Sequence, residues 1–317
     1  MPIFGISGKS LMPIKPVPFP SEKEIQIVTE QNLQVIFGFK FICSEFSLGQ
    51  FRLDTIGFDE ESKSFVIIEY KKDQNFSVID QGYAYLALML NNKADFVLTY
   101  NENTASSCKK DYFDWSQSKV IFVSPSFTPY QIEAVNFKDL PIELWEVHLY
   151  SNDTIGYNKI KSQRATASLG SITKSSKAIK NVSAEITVFS EDEILNGVDD
   201  EIREGYLLIK EIIYKVNPDV EERIKKTMTG FYTGGKGLIW IKPTKRNITL
   251  LLRKDDYKDR NGQVIRGGLG KYPELHLAAS EIDAIFIRKL IEQANITSAI
   301  KYGHIGDFVI YDMHGKD

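Results

Sequence analysis

The run Phe65-Val66-Ile67-Ile68 passes without transition into Glu69-Tyr70-Lys71-Lys72. Four consecutive apolar residues fill both faces of a strand, and a strand with two buried faces belongs inside a sheet covered by helices on either side. A chain carrying it is expected to be α/β. Its polar end then needs an opening to face, because a charged group inside such a sheet is costly unless it is paired. Glu69 and Lys71 are one residue apart, so on a strand they share a face that Tyr70 does not.

The neighbouring segments read as parts of the same domain. Phe51 to Phe58 has strand character, and the polar link 59–64 is short enough to join it to Phe65–Lys71 as an antiparallel hairpin. Lys40–Phe46 is a further strand. Ahead of it, Ser21 with Glu24 three residues on forms a capping-box pattern for a helix over 22–37, with Ile25, Val28, Leu33, Ile36 and Phe37 as its buried stripe and Gly38 as its stop. Ser77 caps a helix over 78–91, followed by strands at Phe96–Tyr100 and Val120–Val123, a short helix capped by Thr128, and a strand at Ile142–Tyr150. These elements give a compact mixed domain over 21–150.

At 317 residues the chain outgrows one core, so a second domain is expected. Residues 1–20, with five prolines, read as an extended arm. Residues 151–183 are rich in Ser, Thr and Lys and read as a basic linker. The remainder, 184–317, reads as a small α+β domain: helices at Glu201–Val216 and Val220–Thr227, strands at Gly237–Ile241 and Ile248–Leu252, and a long helix from Ser280. The first thirty residues hold no continuous apolar segment, so no membrane association and a cytoplasmic location are expected. Cys43 and Cys108 lack metal or redox spacing; His148, His276, His304 and His314 are widely spaced; Trp115, Trp145 and Trp240 are core candidates. Gly234-Gly235 and Gly267-Gly268 lack the pattern of a phosphate loop and read as turns.

The chemistry concentrates at the hairpin. If the two strands pair, Asp54 lies beside Glu69, and two carboxylates at the mouth of a sheet form an oxygen-rich site of the kind Mg²⁺ or Mn²⁺ takes. Hydrolysis of a phosphodiester needs a placed water and neutralised phosphoryl oxygens, which a metal on Asp54 and Glu69 supplies. Lys71 suits positioning and charge stabilisation better than general-base work, since both carboxylates oppose the pKa depression a base would need. Gln81 and Tyr85 lie one helical turn apart and lean toward the same end of the sheet. Arg52 alternates with Asp54 and suits either a phosphate contact or a surface ion pair; Lys72 has the wrong parity for the site. Lys109-Lys110 reads as a solvated loop or a backbone-phosphate contact.

These residues together resemble the PD-(D/E)XK nuclease superfamily, in particular its RecB-like and NucS-like branch. The family's metal-binding aspartate falls on Asp54, its E-x-K segment on Glu69, Tyr70 and Lys71, and its Q-x-x-x-Y element on Gln81 and Tyr85, in the expected order over about 22–125. Leu53 stands where the family often has proline. The resemblance implies a restriction-endonuclease-like mixed sheet flanked by helices. It also implies a further acidic residue from the first helix, for which Glu30 is the best match and Glu45 a competitor. The C-terminal part resembles an uncharacterised small domain found in related nuclease-like proteins, fitting a substrate-guiding surface, a scaffold or a protein-interaction module. Its basic run, Lys242, Lys245, Arg246, Arg253, Lys254, Lys258, Arg260, Arg266 and Lys271, is interrupted by Asp255, Asp256 and Asp259.

The expected activity is metal-dependent DNA cleavage, in repair or in defence against foreign DNA, with DNA as partner. The competing class is a nuclease-like binding module or scaffold without turnover. The net charge of −3 gives no global case for nucleic acid, and residues 1–150 carry 13 Lys and Arg against 19 Asp and Glu, so any DNA surface must be local.

Overall fold

The computed structural model describes residues 3–72, 77–135, 140–160, 177–253, 257–259, 262–265 and 272–301. It contains two compact units, Met1–Phe189 and Ser190–Asp317.

The first unit is built on a seven-stranded mixed sheet flanked by helices. Strands β4 (Lys40–Leu48), β5 (Phe51–Asp59) and β6 (Ser64–Tyr70) form an antiparallel meander. Next to β6, β7 (Lys119–Ser124) and then β8 (Ile142–Tyr150) run parallel. The short β3 (Pro16–Val17) and β9 (Ile155–Lys159) both pair antiparallel with β8. β6 is thus an interior strand with all seven residues buried. Its side chains divide by parity: Phe65 and Ile67 join one core layer, Val66, Ile68 and Tyr70 the other.

Helices α1 (Glu22–Gln31) and α2 (Leu33–Ile36) cover the second of these faces, with Ile25, Leu33 and Phe37 in its core. The expected single helix over 22–37 breaks at Asn32, whose backbone leaves the helical region and whose amide donates to the Val28 carbonyl. The first face is covered by α3 (Val78–Asn91), capped by Ser77 as expected, and by α4 (Lys93–Thr104). The strand expected at Phe96–Tyr100 lies inside α4. Phe96 and Tyr100, four apart, both point into the core, where Phe96 meets Phe46 at 5.1 Å between ring centroids and Tyr100 meets Phe58 at 4.6 Å. A short apolar run fits a buried helix as well as a strand, and here two helices follow one another across Asn92. α5 (Pro129–Ala134), capped by Thr128, completes this layer.

The proline-rich arm is more structured than expected. β1 (Ile3–Ser7) and β2 (Ser10–Ile14) form a hairpin, and β3 joins the main sheet. The expected linker also contributes to the first unit: besides β9, α6 (Lys177–Glu185) packs against α3 and buries Val182. Polar composition concealed these segments because they bury little: β1, β2, β3 and β9 hold no fully buried side chain, and Val182 is the buried anchor of α6. Ser171–Ser176 lies outside the described residues, as do Lys254, Asp255, Asp256, Arg260, Arg266, Lys271, Gly267, Gly268, His304 and His314.

The second unit contains α7 (Glu191–Ile194) and α8 (Asp200–Val216), followed by an antiparallel sheet of β10 (Glu221–Ile224), β11 (Thr229–Thr233), β12 (Lys236–Pro243), β13 (Asn247–Leu252) and β14 (Glu274–Ala278). The helix α9 (Ala284–Lys301) packs with α8, so that Ile209, Ile213, Ile287 and Leu290 share a core with Phe231, Ile241 and Leu250. The helix expected at Val220–Thr227 is the edge strand β10. Its Glu and Arg residues favour helices, but pairing with β11 overrides that preference, and charges suit an edge. Trp145 and Trp240 are buried, and Cys43 and Cys108 are both free.

Candidate active site

Asp54 and Glu69 are brought together by sheet register. β5 and β6 pair with Thr55 opposite Ile68 and Ile56 opposite Ile67, and the same register carried one step further sets Asp54 opposite Glu69. The carboxylate of Asp54 crosses to the neighbouring strand, where its Oδ2 accepts from the Tyr70 amide at 3.1 Å. The Lys71 amide donates to the Val123 carbonyl at 2.9 Å, extending the pairing of β6 with β7 one residue past Tyr70 and holding Lys71 on the strand path.

Glu69 is 3% exposed. Its Oε1 accepts from Lys71 Nζ at 2.7 Å, Gln81 Nε2 at 3.0 Å and the Tyr85 hydroxyl at 3.1 Å, while Gln81 Nε2 also lies 2.7 Å from that hydroxyl. Gln81 and Tyr85 reach the strand from one face of α3, as their spacing predicts. The other oxygen, Glu69 Oε2, is buried and has no hydrogen-bond partner among the described residues. A buried carboxylate with three donors on one oxygen and none on the other is half satisfied.

The electrostatics match this imbalance. Burial, then repulsion from Asp54, pushes the Glu69 carboxyl up to about 7 against the pull of Lys71 and Tyr85. Burial likewise raises Asp54, which the Tyr70 amide and Lys71 stabilise as an anion and Glu45 and Glu22 oppose. Two carboxylates that both resist ionisation form a place where a cation gains from each.

The donor set fits Mg²⁺ or Mn²⁺: hard oxygens, an unsatisfied Glu69 Oε2, and the Asp54 carboxylate beside it. Among the described residues, no group of three or more His, Cys, Asp and Glu side chains is placed to hold a metal. An ion here would therefore have two protein carboxylates and draw its remaining ligands from water or substrate, as Mg²⁺ commonly does.

Of the acidic residues expected to assist the pair, Glu30 lies on the other face of the sheet, whereas Glu45 is the cross-strand neighbour of Asp54 and is taken up by cations. Glu30 belongs to the α1 face of the sheet: its Oε1 accepts from Thr55 Oγ1 and from Gln26 Nε2, and Thr55 has the opposite parity to Asp54 on β5. These contacts direct the Glu30 carboxylate to the α1 side of β5. Glu45 has a φ of +53° and lies in an ion-paired group, with Lys23 at 2.7 Å and Arg52 at 2.8 Å. That pairing, with Lys23 foremost, lowers its pKa, and it occupies Arg52 in a surface ion pair. Lys72 points away, its Nζ donating to the Pro20 carbonyl at 2.9 Å.

Sequence reasoning missed Gln26. It is 4% exposed, and its Nε2 lies 3.1 Å from the Asp54 carbonyl oxygen. The signal was present in the spacing: Glu22, Gln26 and Glu30 recur every four residues, a polar stripe on a helix whose other positions cover a sheet.

No protein-family model matches the chain. Over 231 residues it is 44% identical to an uncharacterised protein of Haemophilus influenzae (strain Rd), covering 73% of this chain and 76% of that protein. The chain belongs to the family of that protein. Solved structures similar to part of it include a repair endonuclease from Pyrococcus abyssi, with 19% identity and a TM-score of 0.24 over 41% of this chain and 48% of that one. An EndoMS–dsDNA2 complex and apo EndoMS are similar at the same identity and TM-score, over 45% and 39% of this chain and 49% and 44% of theirs. The chain spans about half the length of these structures. Among the described residues, no helix is long and apolar enough to cross a membrane.

Proposed function

We propose that the Met1–Phe189 unit is a Mg²⁺- or Mn²⁺-dependent deoxyribonuclease acting in DNA repair or in defence against foreign DNA. The observation that carries the reading is Glu69 Oε2, buried next to Asp54 and without a hydrogen-bond partner among the described residues, while Lys71, Gln81 and Tyr85 fix the other oxygen. Such an arrangement costs stability and is accounted for by a ligand that binds oxygen.

Asp54 and Glu69 would hold the ion. When bound, it supplies charge neutralisation at a phosphate oxygen and makes water more acidic. Gln81 and Tyr85 lock the Glu69 rotamer, so that Oε2 is aimed before substrate arrives. Lys71 reaches the same carboxylate from the strand end, within reach of an attacking water and the developing negative charge. DNA binding is a matter of separate backbone contacts, and the exposed Lys242 near the end of β12, with Lys245 and Arg246 in the turn to β13, are candidates for them.

The test is cleavage of single-stranded, duplex and branched DNA, and of RNA, with Mg²⁺ or Mn²⁺, against EDTA and Asp54→Ala. Metal-dependent cleavage of DNA that disappears with Asp54→Ala is expected. Inactivity of the wild type on every substrate would leave a nucleic-acid-binding or scaffold role in its place.

A further inference from the structure

The polar face of α1 meets the sheet directly behind the carboxylate pair, and one side chain on it contacts three segments at once. The Gln26 carboxamide nitrogen lies 2.9 Å from Glu30 Oε1 on its own helix, 3.1 Å from Ser44 Oγ on β4, and 3.1 Å from the backbone carbonyl of Asp54 on β5. Its two hydrogens are shared among these acceptors, and its oxygen accepts from Lys23 Nζ at 3.0 Å. Buried amides are hydrogen-bonded because leaving them unpaired costs free energy, yet a leucine here would have served a purely structural helix–sheet contact.

The place it grips is where β5 needs support. Glu45, opposite Asp54 by the register of Ser44 with Thr55 and Phe46 with Leu53, has a left-handed backbone conformation. Cys43 and Phe46 both pack on the α3-side core although their positions differ in parity, so the alternation of β4 breaks between them. The Asp54 backbone therefore lies beside an irregular strand on one side, while on the other its carboxylate meets the Tyr70 amide.

We infer that Gln26 is a positioning residue: its buried carboxamide, reaching from α1, fixes the β5 backbone at Asp54 and so sets where that carboxylate stands relative to Glu69. The inference rests on the reading of Asp54 and Glu69 as a metal-holding pair. Gln26 touches neither metal nor substrate and acts through Asp54. Supporting groups of this kind change metal affinity by about 10- to 100-fold when removed.

The experiment measures Mn²⁺ affinity by calorimetry and the Tyr70 amide by ¹H–¹⁵N NMR on the full chain, because that amide donates to Asp54 Oδ2 and reports the carboxylate directly. Gln26→Met keeps the side-chain length and removes the donor. It is expected to weaken Mn²⁺ binding about 10- to 100-fold and to shift the Tyr70 amide in the metal-free protein. A paired exchange, Gln26→Glu with Glu30→Gln, retains an amide–carboxylate pair along α1 but turns a carboxylate toward the Asp54 carbonyl. If Gln26 acts through Asp54, the exchange stays as weak as Gln26→Met. Recovery of wild-type affinity by the exchange would overturn the inference in favour of a helix-internal role, and so would wild-type affinity and an unmoved Tyr70 amide in Gln26→Met. The exchange alone decides the matter if Gln26→Met does not fold. Failure of the wild type to bind Mn²⁺ at all would instead remove the metal-site reading, and this inference with it.

Discussion

Glu69→Gln should make the metal-free protein more stable at neutral to alkaline pH. The folded state raises the Glu69 carboxyl from 4.5 to about 7, with burial as the main cause and Asp54 next. A carboxyl whose pKa rises on folding binds protons more tightly in the native state, so stability falls as pH rises from the unfolded value through the folded one. The full penalty, about 3 kcal/mol, is in place above pH ~7 and absent below pH ~4. This figure is already net of the attraction from Lys71 and Tyr85, and Glu69 is too buried for solvent to screen it. Glutamine keeps the oxygen that accepts from Lys71, Gln81 and Tyr85, and replaces the unpartnered Oε2 with an amide group. Leaving that amide without an acceptor costs about 1–3 kcal/mol at either pH, so the expected gain at pH ~8 is about 0–2 kcal/mol. Urea unfolding in EDTA at pH ~4 and pH ~8, for both proteins, measures it. Between pH ~4 and pH ~8 the stability difference between the two proteins should move by about 3 kcal/mol in the variant's favour. Adding Mn²⁺ should then raise the wild type and leave the variant nearly unchanged, because binding to the native state alone is stabilising. A variant less stable than wild type at pH ~8 in EDTA would refute the claim that the ionised pair is under strain.

Lys71→Ala should slow single-turnover cleavage at saturating DNA by about 10²- to 10³-fold with little loss of DNA binding; a binding curve and a rapid-quench time course check it. Tyr85→Phe removes one of three donors to Glu69 Oε1, and about a 10-fold weaker Mn²⁺ affinity is expected by calorimetry, with an unchanged circular dichroism spectrum. Gly82→Ala places a Cβ 2.4 Å from Ile142 Cδ1, so overpacking between α3 and β8 should cost about 1–3 kcal/mol in urea unfolding. Val182→Ala should cost about 2 kcal/mol in the same assay, whereas a true linker residue would tolerate the change.

The interior of the sheet was legible because its signal is strong and local. Phe65–Ile68, joined by a short polar link to a second strand-like run, reads as a doubly covered strand, and Ile142–Tyr150 matches β8 residue for residue. Elements that depend on distant partners were not legible. Phe96–Tyr100 has the composition of a strand and became helical because two of its aromatics, one turn apart, complete an aromatic cluster with Phe46, Phe58 and Phe65. Glu221–Ile224 has the composition of a helix and became a strand because β11 offers it an edge. In both, a few tenths of a kcal/mol per residue of intrinsic preference yields to burial and pairing worth more.

The site divides along the same line. Glu69 with Lys71, and Gln81 with Tyr85, are pairs within one element, so the period of a strand or helix alone puts each on a common face. Asp54 needed only a short hairpin. Glu30 was a different kind of inference, from the first helix to the sheet across both sequence and space, and there the period of α1 gives no information about which face of β5 it meets. The contacts decide it: α1 lies on the layer of Val66, Ile68 and Tyr70, whereas Glu69 opens toward α3. An acidic side chain on α1 must therefore pass the edge of the sheet to reach Glu69, and Glu30 instead ends on Thr55, behind it. The Gln26 contact reaches the carboxylate pair through the backbone of β5, where a neutral donor adds no third negative charge. A further carboxylate beside Asp54 would raise a pKa that burial has already raised, as Glu45 and Glu22 do from the margin.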